Sequence, residues 1–176
     1  MRFEAQVMPH LPAAYRFARW LARVPADAED LVQESLLRAY GAFDGLRGGD
    51  VRSWLLTIVR NCHATQHRQS ARRATRPLPD EEDAVTAAAL IDPTPDPESA
   101  SMARDAERRL ERLLSALSQE HREVLALREL EELSYREIAS VTTLPIGTVM
   151  SRLARARSAL KSLWLEEAQG ELSGVR

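Results

Sequence analysis

The sequence predicts an all-α protein of two small helical domains joined by an acidic, Pro-rich linker, the second domain containing a helix-turn-helix. Three observations carry that expectation. Apolar residues recur at steps of three and four rather than two, which is the period of a helix with one buried face. Aromatic residues make up only 5% of 176 residues, although 44% are hydrophobic, a balance that leans away from sheet. Charge is partitioned along the chain: residues 1–76 hold 12 arginines against 7 acids, residues 77–98 hold 7 acids and no base, and residues 99–176 hold 12 of each sign. The formal net charge of −2 therefore hides a basic first unit, and is no argument against an anionic partner.

The first unit, residues 1–76, opens with a helical face of Phe3, Val7, Leu11, Tyr15, Ala18 and Leu21, interrupted by Pro9 and Pro12. Pro25 ends this element. Asp27 is the expected N-cap of the next helix, with Glu29 and Asp30 in its first turn, where the helix dipole favours acids. Ala28, Val32, Leu36, Ala39 and Phe43 then face inward. A turn-rich loop, DGLRGGD, spans Asp44–Asp50. The following helix buries Val51, Leu55, Ile58, Val59 and Cys62 and runs into a basic end, with five arginines and no acid from Arg60 to Arg76.

Residues 77–98 contain the five prolines and seven acids expected of an extended linker, relieved by one apolar stretch at Val85–Ile91 that could dock. Such a connector predicts two units that move independently. The second unit, residues 99–168, begins with a helix carrying Met102, Ala106, Leu110, Leu113, Leu114 and Leu117. A second helix spans Gln119–Leu130, with Val124, Leu127 and Leu130 as contacts. The tail, residues 169–176, is expected to fray.

The stretch from Ser134 to Arg157 has the layout of a helix-turn-helix. Ser134 and Glu137 form a capping box, so a short helix starts at Tyr135 and packs through Ile138, Ala139 and Val141. Two threonines and the restriction that Pro145 imposes on Leu144 stop it. Pro145 suits the opening of a second helix. That helix packs through Val149, Leu153, Ala156, Leu160 and Leu163 and presents Thr148, Ser151, Arg152 and Arg155 opposite. No acid occurs from Ile138 to Leu165. A hydroxyl and arginine face behind a short helix and tight turn suits a DNA major groove. An ordinary bundle with a solvated basic face would share the charge pattern, but not the capping box and turn.

Some chemistries are excluded. One cysteine permits neither a disulfide framework nor a Cys-based zinc site. Cys62 falls on an apolar stripe, and His63 and His67 lack a nearby carboxylate, so a core thiol with surface histidines is the expectation. Phosphate-binding glycine loops and HExxH are absent. The protein is expected to be no enzyme and to need no cofactor and no metal. Without a signal peptide or a long apolar run, it is expected in the cytoplasm with no membrane insertion.

Taken together, AEDLVQESLLRAY, LRGGDVRSWLLTIVRN, LSQEHREVLALRELEELSYREIA and LPIGTVMSRLARARSAL, in this order, resemble a bacterial RNA polymerase sigma factor of the extracytoplasmic-function (ECF) type. The resemblance covers nearly the whole chain, with residues 1–76 as sigma domain 2 and 99–168 as sigma domain 4. It implies the following roles. Asp27, Asp30, Leu31, Gln33 and Glu34 grip the clamp of the largest subunit of core RNA polymerase, whose second-largest subunit offers a flap to the other domain. Arg47, Gly48, Gly49, Asp50, Arg52, Trp54, Arg60 and Asn61 open the minus-10 region and read its single strand. Gly48–Gly49 would admit a flipped nucleotide, Arg52 and Arg60 would hold phosphates, and Trp54 would either stack on DNA or pack in the core. Thr148, Met150, Ser151, Arg152 and Arg155 read the minus-35 duplex, with Tyr135 and Arg136 near its backbone. Promoter DNA, core polymerase and an anti-sigma factor are the implied partners.

Two positions depart from the family pattern. Thr143 stands where glycine is frequent, and a β-branched residue resists positive φ, so a re-shaped turn is expected. Met150 stands where a basic residue is common, which predicts a different minus-35 preference through thymine methyl contacts. The competing reading is a stand-alone helix-turn-helix regulator, which would need a dimer seam that the sequence does not offer. A regulatory decoy and an RNA-binding module are further alternatives, and the Arg-rich end of the first unit argues against the decoy.

Overall fold

The computed structural model describes residues 2–22, 24–46, 48–74, 109–110 and 112–173. All the regular structure among them is helical. The linker at 77–98 with its Val85–Ile91 stretch, and Arg47, Met102 and Ala106, lie outside the described residues.

In the first unit, α1 (Arg2–Val7) passes through a 3₁₀ turn (Met8–His10) into α2 (Leu11–Leu21). The two prolines act as expected: Pro9 lies within the 3₁₀ turn, and Pro12 lies in the first turn of α2, where its missing N–H leaves no bond unmade. Helix α3 spans Pro25–Ala42 and starts three residues earlier than an N-cap at Asp27 would place it. Asp27 is not its N-cap. Extended Val24 precedes Pro25, whose ring presets the helical φ, and no side chain caps the end. Asp27 instead lies in the first turn as a dipole-complementing acid.

Helix α4 spans Val51–Ala74. Its N-cap is Asp50, whose carboxylate accepts from the Ser53 backbone N–H (3.0 Å), the Ser53 hydroxyl (2.6 Å) and the Arg52 backbone N–H (3.1 Å). Leu55, Val59 and Cys62 are buried as the stripe predicted, together with Leu56.

The second unit comprises α5 (residues 112–116), α6 (Gln119–Leu125), a π turn (Ala126–Leu130), α7 (Tyr135–Thr142) and α8 (Ile146–Ser173). The helix expected over Gln119–Leu130 is thus split, its last turn widening to π geometry. Ser118 caps α6, its hydroxyl accepting from the His121 N–H. Leu113 and Leu117 are buried, whereas Leu110 is exposed. Helix α8 continues past Ala168 to Ser173, and the rest of the tail expected to fray, residues 174–176, lies outside the described residues. Glu167 pairs with both Arg109 (3.0 Å) and Arg112 (2.9 Å), and the Arg109 guanidinium lies 4.3 Å from the Trp164 ring centre, so the C-terminal turns of α8 are tied back to the start of the unit.

The two units do not stand apart, contrary to the expectation of independent bodies. Helix α4 packs against α7, and α2 packs against α6 and the π turn. One continuous core links Phe17, Leu31, Leu55 and Leu56 of the first unit with Val124, Leu127, Ile138 and Leu153 of the second. Each such fully buried aliphatic or aromatic side chain contributes about 1.5–3 kcal/mol.

Candidate nucleic-acid and polymerase interfaces

The helix-turn-helix is built as its capping box dictates. Ser134 Oγ accepts from the Glu137 N–H at 3.3 Å, and Glu137 Oε2 accepts from the Ser134 N–H at 2.7 Å. These hydrogen bonds hold the Glu137 carboxyl below its ordinary range. The expected re-shaping of the turn at Thr143 does not occur. Thr143 takes the left-handed conformation itself (φ 56°), and both its N–H and that of Leu144 reach the Ala139 carbonyl. Its hydroxyl donates to the Thr142 carbonyl at 2.6 Å. Burial of Thr142 and Val141 on one side and of Val149 on the other fixes the path between them, and this outweighs the intrinsic preference of a β-branched residue. The Pro145 carbonyl accepts the first bonds of α8, from Thr148 (2.9 Å) and Val149 (3.1 Å).

Helix α8 segregates its faces. Val149, Leu153 and Ala156 are fully buried, while Met150, Ser151 and Arg155 are exposed and Thr148 is half-buried. Arg152 differs from its neighbours: it is mostly covered and pairs with Glu120 of α6 at 3.0 Å. Tyr135 is half-buried beneath the Arg128 guanidinium at 5.3 Å, and Arg136 is exposed.

The loop before α4 uses glycine for its backbone. Gly48 (φ 73°) and Gly49 (φ 103°) occupy conformations that L-residues resist, and no atom would crowd a side chain at either position. The requirement is therefore conformational. Burial alone would raise the Asp50 carboxyl, but its bonds from Ser53 and Arg52 outweigh that effect and hold it low. Trp54 is half-buried, its ring edge-on to Phe43 at 6.4 Å, which makes it in part a core residue. Asn61 is exposed. Arg52 and Arg60 point at the second unit: Arg52 bonds Glu131 at 2.6 Å, and Arg60 pairs with Glu123. Burial pushes the Glu123 carboxyl up against the pull of Arg60.

On the far side of the first unit, Asp27, Asp30 and Gln33 are exposed and Glu34 is half-buried, bonded to Arg38 at 2.7 Å. Leu31 is fully buried, so its part on this face is to fix the helix rather than to touch a partner. An open groove between α3 and α4 is lined by Asp30, Gln33, Glu34, Leu37, Thr65 and Gln66. Leu37 and Tyr40 are 70% and 66% exposed, large apolar surface left largely open among the described residues, with the Tyr40 ring meeting Phe3 edge-on at 5.2 Å.

Known proteins place this arrangement. Residues 6–73 match the Sigma-70 region 2 family, and residues 107–160 match the Sigma-70, region 4 family. The ECF RNA polymerase sigma-E factor of Salmonella typhimurium is 34% identical over 140 residues, covering 76% of this chain and 72% of that protein. This chain belongs to the ECF sigma factors. The ECF RNA polymerase sigma factor SigE of Mycolicibacterium smegmatis is 32% identical over 155 residues, covering 88% of this chain and 58% of its own. Among solved structures, the sigma factor RpoE from Bartonella quintana, in complex with the anti-sigma factor NepR, superposes with a TM-score of 0.73 at 29% identity, over 99% of both chains. CnrH, in complex with the cytosolic domain of CnrY, gives 0.64 at 25% identity over 92% of this chain and 86% of that one.

For a sigma factor of this type, the sequence reading missed one group. Glu131, Glu123 and Arg16 meet Arg52 and Arg60 between the units, and no local pattern marks them. His63 also lies there, its ring 3.1 Å from the Gln119 amide. Burial, then the charges of His67 and Arg122, lower it to about 4. Among the described residues no three His, Cys, Asp or Glu side chains gather to hold a metal, and Cys62 is buried. No helix among the described residues is long and apolar enough to cross a membrane.

Proposed function

We propose that this ECF sigma factor binds core RNA polymerase and directs promoter-specific initiation through two separate readers. The observation that carries this reading is the face segregation of α8 behind a formed capping box and tight turn. Val149, Leu153 and Ala156 anchor the helix, and Thr148, Met150, Ser151 and Arg155 are left to enter the minus-35 major groove. Arg155 has the length and donors for a guanine edge. Met150 favours a thymine methyl. Arg136, on the supporting helix, suits a phosphate.

The loop and helix from Leu46 to Asn61 handle the minus-10 strand after it melts. Gly48 and Gly49 give the backbone its turn, Asp50 caps the helix, and Arg52, Arg60 and Asn61 supply donors to the strand. Trp54 supports that surface from a partly buried position. Asp27, Asp30, Gln33 and Glu34 meet the polymerase clamp on the opposite side, beside the exposed Leu37 and Tyr40. The second unit meets the flap. An anti-sigma factor is the natural antagonist, and the protein works in the cytoplasm beside the polymerase. A sigma factor supplies recognition, and the polymerase supplies catalysis. The test is to mix the purified chain with core polymerase and a library of promoter fragments. Specific transcripts that require the added chain support the reading. A chain that binds operator-like duplex without polymerase, and adds no transcripts, supports the stand-alone regulator instead.

A further inference from the structure

We infer that Ile146 and Met150 form a methyl-reading edge on α8, which recognises the C5-methyl groups of pyrimidines, thymine or 5-methylcytosine, in two neighbouring base pairs of the minus-35 duplex. The inference deepens the proposed minus-35 role of α8 and rests on it. Ile146 and Met150 are 43% and 52% exposed, and both stand in the first turns of α8, the part of a recognition helix that reaches base edges. Four residues apart, they are neighbours on one side of the helix, at about 5–6 Å between Cβ atoms. Successive bases of a strand rise by about 3.4 Å, so the pair spans two adjacent base pairs.

The surroundings of this edge indicate what covers it. Val149, Leu153 and Ala156 already hold α8 to its own unit, so the fold does not need Ile146 and Met150 to anchor the helix. Gly147, Ser151 and Arg155, each four residues on, form the next row round the helix. That row opens on a residue without a side chain. Nothing elsewhere among the described residues lies within 4 Å of a Cβ placed at Gly147, and its φ is not left-handed. Neither packing nor conformation within the chain calls for glycine there, and glycine weakens a helix. The space instead suits close approach of an outside surface.

The charge around the edge is that of a nucleic-acid contact. Arg136 and Arg155 are exposed beside it, and no acid occurs from Ile138 to Leu165. The apolar group that a major groove displays is the C5-methyl of thymine, and 5-methylcytosine carries the same group at the same place. Hydrogen-bond reading by the neighbouring side chains is narrowed. The Ser151 hydroxyl donates to the Thr148 carbonyl at 3.0 Å, and Arg152 is paired with Glu120 at 3.0 Å. The first turns of α8 therefore read methyls more than donors and acceptors, and Arg155 supplies the polar contact further along.

Base analogues test this without disturbing the protein. Holoenzyme formed with the full chain selects minus-35 elements from a fragment library. Each thymine of the selected element is then replaced singly by deoxyuridine, which removes the methyl and keeps every hydrogen-bonding group. Competition binding gives the thymine-to-uracil affinity ratio at each position. Two adjacent base pairs should show a loss of about 4-fold per methyl. At those pairs 5-methylcytosine should bind about 4-fold more tightly than cytosine. Met150→Ala should bring the ratio close to one at one of the two pairs, and Ile146→Ala at the other, while Met150→Leu retains it. The ratio compares duplexes within one protein, so a general loss of stability leaves it unmoved. Ratios near one at every thymine with the wild-type chain, or ratios that both alanine variants preserve, overturn the methyl-reading edge. If base-pair substitutions in the element still weaken binding in that case, the minus-35 role of α8 stands without it. Binding indifferent to every base-pair substitution in the element removes both.

Discussion

Two arginines one turn apart on α8 should behave as different kinds of residue. Arg155 is exposed, whereas Arg152 is largely covered and spends its charge on Glu120 of α6 at 3.0 Å. Truncating Arg155 to alanine removes a side chain that packs against little, so thermal stability should stay within about 0.5 kcal/mol. Its loss should appear in minus-35 binding. A bidentate guanine contact is worth about 1–3 kcal/mol, or roughly 5- to 150-fold in affinity for the preferred duplex. If Arg155 instead holds a phosphate, all duplexes should weaken alike and the salt slope should fall by about one. Arg152→Ala should do the reverse. The Glu120 partner is 68% exposed, so the pair contributes only about 0.2–1 kcal/mol, and that loss should appear in stability. Minus-35 affinity should fall much less than for Arg155. Fluorescence anisotropy with matched and scrambled duplexes, beside thermal melts, separates the two. A larger binding loss for Arg152→Ala than for Arg155→Ala would refute the assignment of the reading face.

Further expectations concern single positions. Thr143→Gly should stabilise the chain by about 0.5–1 kcal/mol, because glycine relieves the left-handed strain of about 1–2 kcal/mol and costs part of it back in unfolded-state freedom; denaturant midpoints check this. Asp50→Ala should cost about 1 kcal/mol through loss of the α4 N-cap, with Asp50→Asn restoring stability; a minus-10 defect that survives in the stable Asn variant would mark a direct role for the carboxylate. His63 has its folded value lowered from 6.5 to about 4. Its contribution is therefore present above pH 6.5 and lost as pH falls towards 4. That difference is at most about 3 kcal/mol, and partial exposure of the ring reduces it to about 1–2 kcal/mol. His63→Gln should flatten this acid limb in stability measured against pH; an unaltered limb would place the acid sensitivity elsewhere.

Much of this molecule was legible locally. The capping box at Ser134 and Glu137, the buried stripe of α4 and the α8 face depend on residues three to seven apart, and periodicity reports such neighbours directly. The misjudged features depend on competition or on distance. Pro25 displaced Asp27 at the start of α3 because a preset φ competes with a side-chain cap. Thr143 entered the left-handed region because buried neighbours on both sides fixed the chain path. Arg52 and Arg60 were recognised as cations near a candidate DNA surface, but their carboxylate partners lie 79 and 63 residues away. Glu131 stands in the run LRELEEL among apolar residues, and only the π turn turns it inward. Leu31 shows the converse limit: a motif position can belong to the core while its neighbours Asp30 and Gln33 remain outside.

The central claim is that the loop and helix from Leu46 to Asn61 open and read minus-10 DNA, and one measurement tests it most directly. Gly49→Val places a β-branched residue at φ 103°, where strain rather than crowding disrupts the loop. Permanganate reactivity of promoter thymines is then followed with wild-type and Gly49→Val holoenzyme, on duplex and on pre-melted templates. The mutant should bind core polymerase and minus-35 duplex normally, yet leave duplex thymines unreactive, with partial recovery on the pre-melted bubble, where the few kcal/mol of unstacking are already supplied. Normal reactivity on duplex, with an unchanged minus-10 preference, would contradict the assignment of this element.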